Sequence, residues 1–260
     1  MIVAYGAPHL LSAAVAALDP DEDVTVVDNS RREDVRAAAG GAHYVRPPGN
    51  LGFSGGVNAG LAALRARDFA GDVLLLNPDA RLDSVGITRL QDALLAQPRT
   101  AAVAPQRLRH DGADQQVLWP LPSPSGMWRE AVGLPRRGGP HFAVGAVLLL
   151  RAEALAEIGG FDETFPLYAE ESDWQRRAQE AGWQIALADG VEAAHVGAGT
   201  STDDGLRERL FAAAQETYLR RWFGASGWLS YRLAAVLGAA LRGLLLPGAR
   251  GAAARARRAC

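Results

Sequence analysis

Short apolar runs alternate with stretches of helical spacing along the first hundred residues. Val73–Leu76 is apolar throughout, which indicates a strand that is buried on both faces. Because strands that alternate with helices usually form sheets with helical crossovers, the pattern predicts an α/β fold with a mostly parallel sheet and helices on both faces. The predicted strands are Ile2–Tyr5, Val24–Val27, His43–Val45 and Val73–Leu76, and the predicted helices are Leu10–Leu18, Asp34–Ala39, Val57–Arg67 and Ile87–Ala96.

The middle of the chain departs from this alternation. His110–Pro140 is rich in Pro, Gly, Ser and Arg, and it predicts a long loop, a kind of segment that is commonly functional. Trp119 or Trp128 could serve there as an apolar platform, or both could be core residues or loop anchors. Further strands are predicted at Phe142–Leu150, Gln184–Ala188 and Val191–Ala194, and helices at Ala152–Ile158 and Asp173–Ala181.

From Leu206 onward the pattern is helical, and an apolar stripe runs along one face. Its members are Leu229, Leu233, Val236, Leu237, Ala240 and Leu244. Arg232 and Arg242 interrupt the apolar run, which is shorter than the ~20 residues that a bilayer span needs. We therefore predict an α/β domain at 1–205 and a helical C-terminal extension with a basic tail at 206–260.

Charge is distributed unevenly. The chain up to Glu216 holds 19 arginines against 29 acidic residues, whereas the segment after Glu216 holds eight arginines and no acid. Such a segment would favour an anionic membrane surface. The competing interpretation is a helix that packs on the protein body or on a second subunit, as in a homodimer.

Composition excludes several classes. The single cysteine, Cys260, rules out a disulfide framework and a cysteine-based zinc site. The net charge of −2 indicates no nucleic-acid partner. The first residues lack a basic segment before their apolar run and do not resemble a signal peptide. A cytoplasmic location is expected, with peripheral contact at the inner face of the plasma membrane if the tail binds lipid.

Two polar positions follow predicted strands. Asp79 comes just after the strand Val73–Leu76, in the segment Leu74–Leu82. Open α/β sheets bind ligands at this position, and Asp79 could help to hold a hard cation that also binds a diphosphate. Asn77-Pro78-Asp79 is equally a common turn after a strand. Asp28 could accept hydrogen bonds from a base or a ribose, or it could cap the next helix.

A glycine-rich segment, Asn50–Gly60, follows the third predicted strand. Its four glycines allow a tight turn or a close approach of the backbone to a ligand. The segment does not have the GxGxxG spacing, and glycine-rich turns without a ligand are common.

Three acidic residues fall within four positions of one another in the segment Gly159–Trp183. Glu170, Glu171 and Asp173 should repel one another, and one of them could be a general base with a raised pKa. The alternative is the N-terminus of a helix, where acidic side chains favour the dipole. His195 follows a short strand and could bind a divalent metal ion, although a lone histidine is commonly structural.

Taken in order, these segments resemble the family 2 glycosyltransferases, in particular the bacterial rhamnosyltransferases of cell-wall and surface polysaccharides. The likeness covers roughly residues 1–205 and implies a GT-A fold, with nucleotide-binding and acceptor-binding halves in one domain. It also implies Mg²⁺ or Mn²⁺ as cofactor. The residues that the likeness assigns to the nucleotide-sugar site are Tyr5, Asp28, Asn50, Gly52, Phe53, Asn58, Asn77, Asp79, Gly145 and Glu170.

The likeness also assigns metal binding and catalysis. Asp79 stands in the metal motif and His195 can complete the metal site, while Glu171 matches the family's catalytic base. The family's Glu-Asp pair is Glu-Glu here, which leaves Asp173 as a rival base. The family's Asp-x-Asp motif is Asn77-Pro78-Asp79.

The implied reaction is an inverting displacement that transfers a sugar to a hydroxyl of a glycan or lipid-linked acceptor, and dTDP-rhamnose is the expected donor. The loop predicted at His110–Pro140 would then form part of the acceptor side. One alternative is a nucleotidyltransferase that acts on sugar phosphates, although Tyr5–Leu11 lacks the basic, glycine-rich phosphate loop of that class. A second alternative is a non-catalytic module that binds sugar nucleotides.

Overall fold

The computed structural model describes residues 1–110, 113–136, 139–197 and 204–245 of the 260-residue chain. The strands are β1 (Ile2–Ala4), β2 (Thr25–Asp28), β3 (His43–Val45), β4 (Val73–Leu76), β5 (Ala80–Arg81), β6 (Thr100–His110), β7 (Ala113–Gln115), β8 (Leu118–Pro120), β9 (His141–Ala143), β10 (Val147–Leu150) and β11 (Gln184–His195). The helices are α1 (Pro8–Ala16), α2 (Glu33–Ala38), α3 (Gly52–Arg65), α4 (Ser84–Leu95), α5 (Pro124–Ala131), α6 (Ala152–Ile158), α7 (Glu170–Glu180) and α8 (Asp204–Leu245).

Two sheets are joined to each other by backbone hydrogen bonds between Met1, which precedes β1, and strand β4. β1, β2 and β3 pair in parallel in that order. The larger sheet has the order β4–β10–β6–β11–β5, and β7 pairs with β6. The amino group of Met1 donates to the carbonyl of Leu74 at 2.8 Å, and the N–H of Leu76 donates to the carbonyl of Met1 at 3.1 Å. Met1 therefore bonds to the two residues of β4 on either side of Leu75. This is the hydrogen-bond pattern of parallel strands, so β1 and β4 run in the same direction.

Strand direction decides which residues share an edge. β10 is antiparallel to both β4 and β6, and β11 is parallel to β6. The strands β1, β2, β4, β6 and β11 therefore run the same way, and their carboxyl ends lie at one edge of the β-structure. Tyr5, Asp28, Asp79 and His195 stand at or just beyond these ends, which is where open α/β sheets bind ligands.

The predicted α/β class is confirmed, but the neighbouring pairs in the larger sheet are mixed. β10 inserts between β4 and β6, and β5 pairs antiparallel with β11. The sequence could not show this, because Val147–Leu150 is buried on both faces and a continuous apolar run has the same appearance in either direction.

The core is a cluster of mostly aliphatic side chains on these strands and their covering helices. Val26, Leu75, Val103 and Leu148 contribute from four strands, and Leu90 contributes from α4. All five are 2% exposed or less. Burial on this scale is the main source of stability and holds the carboxyl edge in place.

Several predicted elements have different bounds. His110–Pro140 is not one long loop, since it contains β7, β8 and α5. The predicted strand Phe142–Leu150 is interrupted at Val144–Ala146, while the two predicted strands after Gln184 are one strand with irregular register between Ala188 and Glu192. α3 begins at Gly52, so most of the glycine-rich segment is helical.

The chain divides into two compact units. The first comprises Met1–Trp119 and His141–Phe211, and the second comprises Pro120–Pro140 and Ala212–Cys260. The predicted boundary near residue 205 stays a prediction, and the second unit also takes in a segment from the middle of the chain. Within it, α8 changes direction at Gly224, whose φ is 69°. None of the described helices is both long and apolar enough to cross a membrane.

Candidate functional site

Asp79 and His195 meet at the carboxyl edge. Asp79 follows β4, and the two-residue strand β5 then pairs with the end of β11, where Ala80 is opposite His195. The N–H of Val196 donates to the carbonyl of Asp79 at 3.1 Å. These contacts place the Nε2 atom of His195 3.6 Å from the Oδ1 atom of Asp79, with both side chains largely buried.

Gln115 contacts His195 from the opposite side and was missed by the sequence interpretation. Its Oε1 lies 2.8 Å from Nδ1 of His195, and its Nε2 donates to the backbone carbonyl of His195 at 3.1 Å. β7 carries Gln115 beside the end of β6. The dipeptide Asp111-Gly112 is typical of tight hairpins and could have predicted this strand within the supposed loop.

The surroundings of His195 disfavour its charged form. Burial lowers the pKa of His195, Asp79 opposes this effect, and His110 adds to it. A neutral imidazole is the form that binds metal ions. Among the described residues, no group of three or more His, Cys, Asp or Glu side chains could enclose a metal ion, so the protein offers the pair Asp79 and His195.

Glu170 and Glu171 begin α7 and have buried carboxylate oxygens. The Oε2 atoms of both side chains lack a hydrogen-bond partner among the described residues. Burial raises the pKa of Glu170 well above its usual value, and the neighbouring Glu171 adds to the rise. Burial also raises the pKa of Glu171, against hydrogen bonds from backbone N–H groups, including that of Gly145. These are unusual surroundings for acidic residues that only cap a helix.

Asp173 lies in the same helical turn but has a charged partner. Its carboxylate is fully buried and accepts a hydrogen bond from Nε of Arg177 at 2.9 Å. Arg177 also donates to the carbonyls of Ile158 and Gly160. The pair therefore fastens α7 to the end of α6.

A short chain of contacts connects Glu171 with the edge that carries Asp79. A Cβ atom built on Gly145 would lie 3.5 Å from Cβ of Glu171, in ordinary van der Waals contact, so positions 145 and 171 are direct neighbours. The next residue, Ala146, accepts a hydrogen bond from the N–H of Asn77 at 2.8 Å. Asn77 stands two positions before Asp79, at the end of β4.

Asp28 is committed to the turn after β2. Its carboxylate accepts hydrogen bonds from Ser30, Arg31, Arg32 and the hydroxyl of Tyr44. Burial raises the pKa of Asp28, but the bonds from Ser30 and Tyr44 outweigh it and hold that pKa below its usual value. Asp28 thus fixes the shape of this turn at the carboxyl edge.

The Asn50–Asn58 segment is fastened to the chain that leads into α7. Gly52 has a φ of 70°, and the N–H of Phe53 donates to the carbonyl of Pro166. Asn58 exchanges hydrogen bonds with the backbone of Phe161 at 2.8 and 2.9 Å. These residues position the segment before Glu170, while Asn50 holds its own loop by accepting from the N–H of Gly52.

Three aromatic side chains that the sequence analysis singled out remain accessible. Tyr5 is 54% exposed just beyond β1. Trp119 is 45% exposed, and Trp128, in the second unit, is partly exposed with its indole N–H bonded to Ser230. The acceptor-platform role of Trp119 or Trp128 stays a prediction.

Comparison with known proteins identifies related enzymes. No protein-family model matches the chain. The N-acetylglucosaminyl-diphospho-decaprenol L-rhamnosyltransferase of Mycobacterium tuberculosis is 28% identical over 255 aligned positions, which cover 85% of this chain and 82% of the relative. The low-salt glycan biosynthesis hexosyltransferase Agl10 of Haloferax volcanii is 25% identical over 205 positions, covering 75% of this chain and 66% of that protein.

A solved structure shares the fold. A mannosyltransferase from Pyrobaculum calidifontis, in complex with GDP-Man and Mn²⁺, matches with a TM-score of 0.54 and 15% identity, covering 99% of this chain and 78% of that one. The GT-A fold and the likeness to the family 2 glycosyltransferases, predicted from the motifs, are confirmed.

Proposed function

We propose that this chain, a relative of rhamnosyl- and hexosyltransferases on the GT-A fold, is an inverting, metal-dependent glycosyltransferase. The observation that carries the proposal is the buried pair of Asp79 and His195, with donor atoms 3.6 Å apart. Two protein ligands are too few for a closed metal cage, but they suit Mg²⁺ or Mn²⁺ whose remaining ligands are water and substrate phosphate oxygens. A nucleotide diphosphate sugar supplies such oxygens.

The donor set fits the cation that the fold implies. A carboxylate is the usual protein ligand of Mg²⁺, and an imidazole beside it also admits Mn²⁺. When bound, the cation would neutralise charge that develops on the leaving diphosphate. Asp79, two positions after Asn77, and His195 would hold the cation at the carboxyl edge.

Glu171 is proposed as the general base. Its Oε2 has no hydrogen-bond partner among the described residues. Burial raises the pKa of Glu171 toward neutral pH, which makes its carboxylate a stronger base than that of a free glutamate. The Glu171 carboxylate accepts the proton of the acceptor hydroxyl as the hydroxyl oxygen forms its bond to the anomeric carbon. The bond from this carbon to the diphosphate oxygen breaks with its electrons, and the sugar's configuration inverts.

Asp173 is the weaker candidate for this role. Its carboxylate is fully buried and paired with Arg177, so an acceptor hydroxyl would have to displace an ion pair to reach it. Breaking a buried pair of this kind is costly. We assign Asp173 the task of holding α7 in place.

The donor side is proposed to use Tyr5 as a surface for the nucleotide, with Asp28, Asn50 and Asn58 shaping the pocket through the turns that they hold. Gly52 and Phe53 belong to the same wall. Gly145 leaves space for the sugar beside Glu171, and Glu170 supports that side of the pocket. The backbone hydrogen bonds described for these residues support a shaping role for most of them.

Rhamnose from dTDP-rhamnose is the proposed donor, and a lipid-linked or other glycan hydroxyl is the proposed acceptor. The support is the similarity to an L-rhamnosyltransferase whose name specifies a diphospho-decaprenol acceptor. A peripheral site at the inner face of the plasma membrane would give access to such an acceptor.

A thermal-shift panel tests the proposal. UDP-, GDP- and dTDP-sugars are compared with and without Mn²⁺ on wild type and on Asp79→Asn. Ligand at 100 times its Kd stabilises by about 2.7 kcal/mol, so one donor class should raise the Tm of wild type only when Mn²⁺ is present, and Asp79→Asn should lose this gain. A panel in which no nucleotide sugar raises the Tm would contradict the proposal.

A further inference from the structure

The side-chain amide of Gln115 has only one orientation that satisfies its contacts with His195. The backbone carbonyl of His195 lies 3.1 Å from Nε2 of Gln115. A carbonyl oxygen can only accept a hydrogen bond, so the nitrogen of the amide must face it. The amide oxygen then necessarily faces the imidazole.

This orientation determines which imidazole nitrogen carries the hydrogen. Oε1 of Gln115 lies 2.8 Å from Nδ1 of His195, and an amide oxygen can only accept. Nδ1 of His195 must therefore carry the hydrogen. In the neutral ring, Nε2 is then the unprotonated nitrogen, and its lone pair is available.

Nε2 of His195 is the nitrogen that faces Asp79, at 3.6 Å from Oδ1. In this tautomer, two atoms with lone pairs face each other in a largely buried position. A cation between them satisfies both, whereas without one neither can donate to the other. The spacing is short enough for one cation with bonds of roughly 2.1 Å to contact both atoms.

We propose that Gln115 is a positioning residue that fixes the Nδ1–H tautomer of His195 and so presents Nε2, together with Asp79, to a divalent cation. Metal-bound histidines commonly donate their other ring N–H to such a partner, which sets the tautomer and the ring orientation. The proposal deepens the proposed function and rests on its metal site. It assigns a role to β7, which the sequence predicted to be loop.

Binding of Mn²⁺ to the full chain tests the proposal without measuring turnover. It is monitored, in the presence of a nucleoside diphosphate, by the loss of the EPR signal of the free ion. Gln115→Ala should lower the Mn²⁺ affinity by about 10–100-fold, as loss of such a partner does elsewhere. Gln115→Glu retains an acceptor for Nδ1–H and should bind within a few-fold of wild type, at about the same order of magnitude. Gln116→Ala, at the exposed neighbouring glutamine, is the matched control and should bind as wild type does.

The tautomer is read independently by long-range ¹H–¹⁵N spectra of the imidazoles, with His195 assigned by comparison with His195→Gln among the five histidines. Wild type should show Nδ1–H, and Gln115→Ala should gain the Nε2–H form. An Nε2–H wild-type ring, or unchanged Mn²⁺ affinity in Gln115→Ala, overturns the proposal. Mn²⁺ binding that depends on Gln115, without binding of any nucleotide sugar, would instead contradict only the proposed function.

Discussion

Glu171 and Asp173 lie two positions apart in α7, yet their carboxylates have different surroundings. Asp173 is paired with Arg177, whereas Oε2 of Glu171 is buried without a hydrogen-bond partner among the described residues. A carboxylate in a buried ion pair is blocked from the substrate, while an unpaired one can take up a proton. Neutral substitutions at the two positions should therefore have different effects, on turnover at Glu171 and on the free energy of unfolding at Asp173.

Glu171→Gln should retain donor binding and lose about 10²–10⁴-fold in turnover, the usual contribution of a general base. Because burial raises the pKa of Glu171 and the base works deprotonated, wild-type kcat should fall as the pH drops through a value above the ~4.3 of a free glutamate. Steady-state kinetics across pH, with donor Kd measured separately, check this. The acid limb should be absent from the residual activity of Glu171→Gln.

Asp173→Asn is the matched comparison. It leaves Arg177 without its charged partner, so the expected effect is a lower free energy of unfolding, by about 3–5 kcal/mol if the pair behaves as other buried pairs do. If Asp173→Asn folds normally and loses most turnover while Glu171→Gln turns over normally, the base has been assigned to the wrong acid.

At the level of elements, the start of α3 and the chain before α7 depend on each other through Gly52. A Cβ atom at position 52 would lie 2.3 Å from the carbonyl oxygen of Pro166, and the φ of Gly52 is 70°. Both features require glycine there. The same segment leads from Pro166 into Glu170 and Glu171, so a disturbance at α3 should reach the proposed base.

Gly52→Ala should lower the free energy of unfolding by at least about 1–2 kcal/mol, the cost of a Cβ atom in the left-handed region. Denaturant unfolding gives this difference, and kcat should fall as well. Gly49→Ala is the control in the same loop, since a Cβ atom there meets nothing within 4 Å. Equal stability of the two variants would contradict the proposed dependence of α7 on this contact.

Periodicity predicted the local elements better than it predicted their partners. β3, β4 and α6 have the predicted bounds, because each is a compact run between clear turn or cap residues. β6 was missed, since its Thr100–His110 sequence is rich in alanine and contains Pro105, both weak in strands. The glycines of α3 similarly indicated a turn, although tertiary contacts make this segment helical.

The positions of the candidate residues after strands were predictable, but the contacts between these residues were not. Asp79 and His195 could each be placed after a strand, but their contact depends on the order β4–β10–β6–β11–β5, which local patterns do not contain. The burial of Glu170 likewise depends on packing against distant segments, whereas the pairing of Asp173 with Arg177 is a local contact between positions four apart in α7. Gln115 could not be recognised from the sequence, because the segment that contains its strand was predicted to be a loop.

At the scale of the whole molecule, charge and apolar exposure coincide on α8. Leu229, Leu233, Val236 and Leu237, all in the predicted stripe, are 41–62% exposed. Arg220 and Arg232 are exposed on the same helix, and no acid follows Glu216 in the sequence. The side chain of Leu244 and the arginines from Arg250 to Arg258 lie outside the described residues.

We propose that an anionic membrane surface covers the exposed apolar stripe of α8, because basic residues and an apolar stripe together favour such a surface.

Flotation with liposomes checks this proposal on the full chain. The protein should float with vesicles that contain anionic lipid and much less with neutral vesicles, since each basic residue near the surface contributes about 1 kcal/mol. Leu233→Gln should weaken flotation, whereas Leu95→Gln, at an exposed leucine of α4, should not. Protein that stays in solution with both vesicle types would assign the stripe to packing or to a homodimer.

Product analysis tests the central claim, that the chain transfers a sugar from a nucleotide diphosphate, most directly. The full chain is incubated with dTDP-rhamnose, Mn²⁺ and a prenyl-diphosphate-linked N-acetylglucosamine, and the acceptor is analysed by mass spectrometry and NMR. We expect the acceptor to gain one deoxyhexose with inverted anomeric configuration, with release of dTDP, and we expect EDTA to stop the reaction until Mn²⁺ is restored. Retained configuration, undiminished transfer in EDTA, or release of diphosphate with a nucleotidyl product would contradict the account.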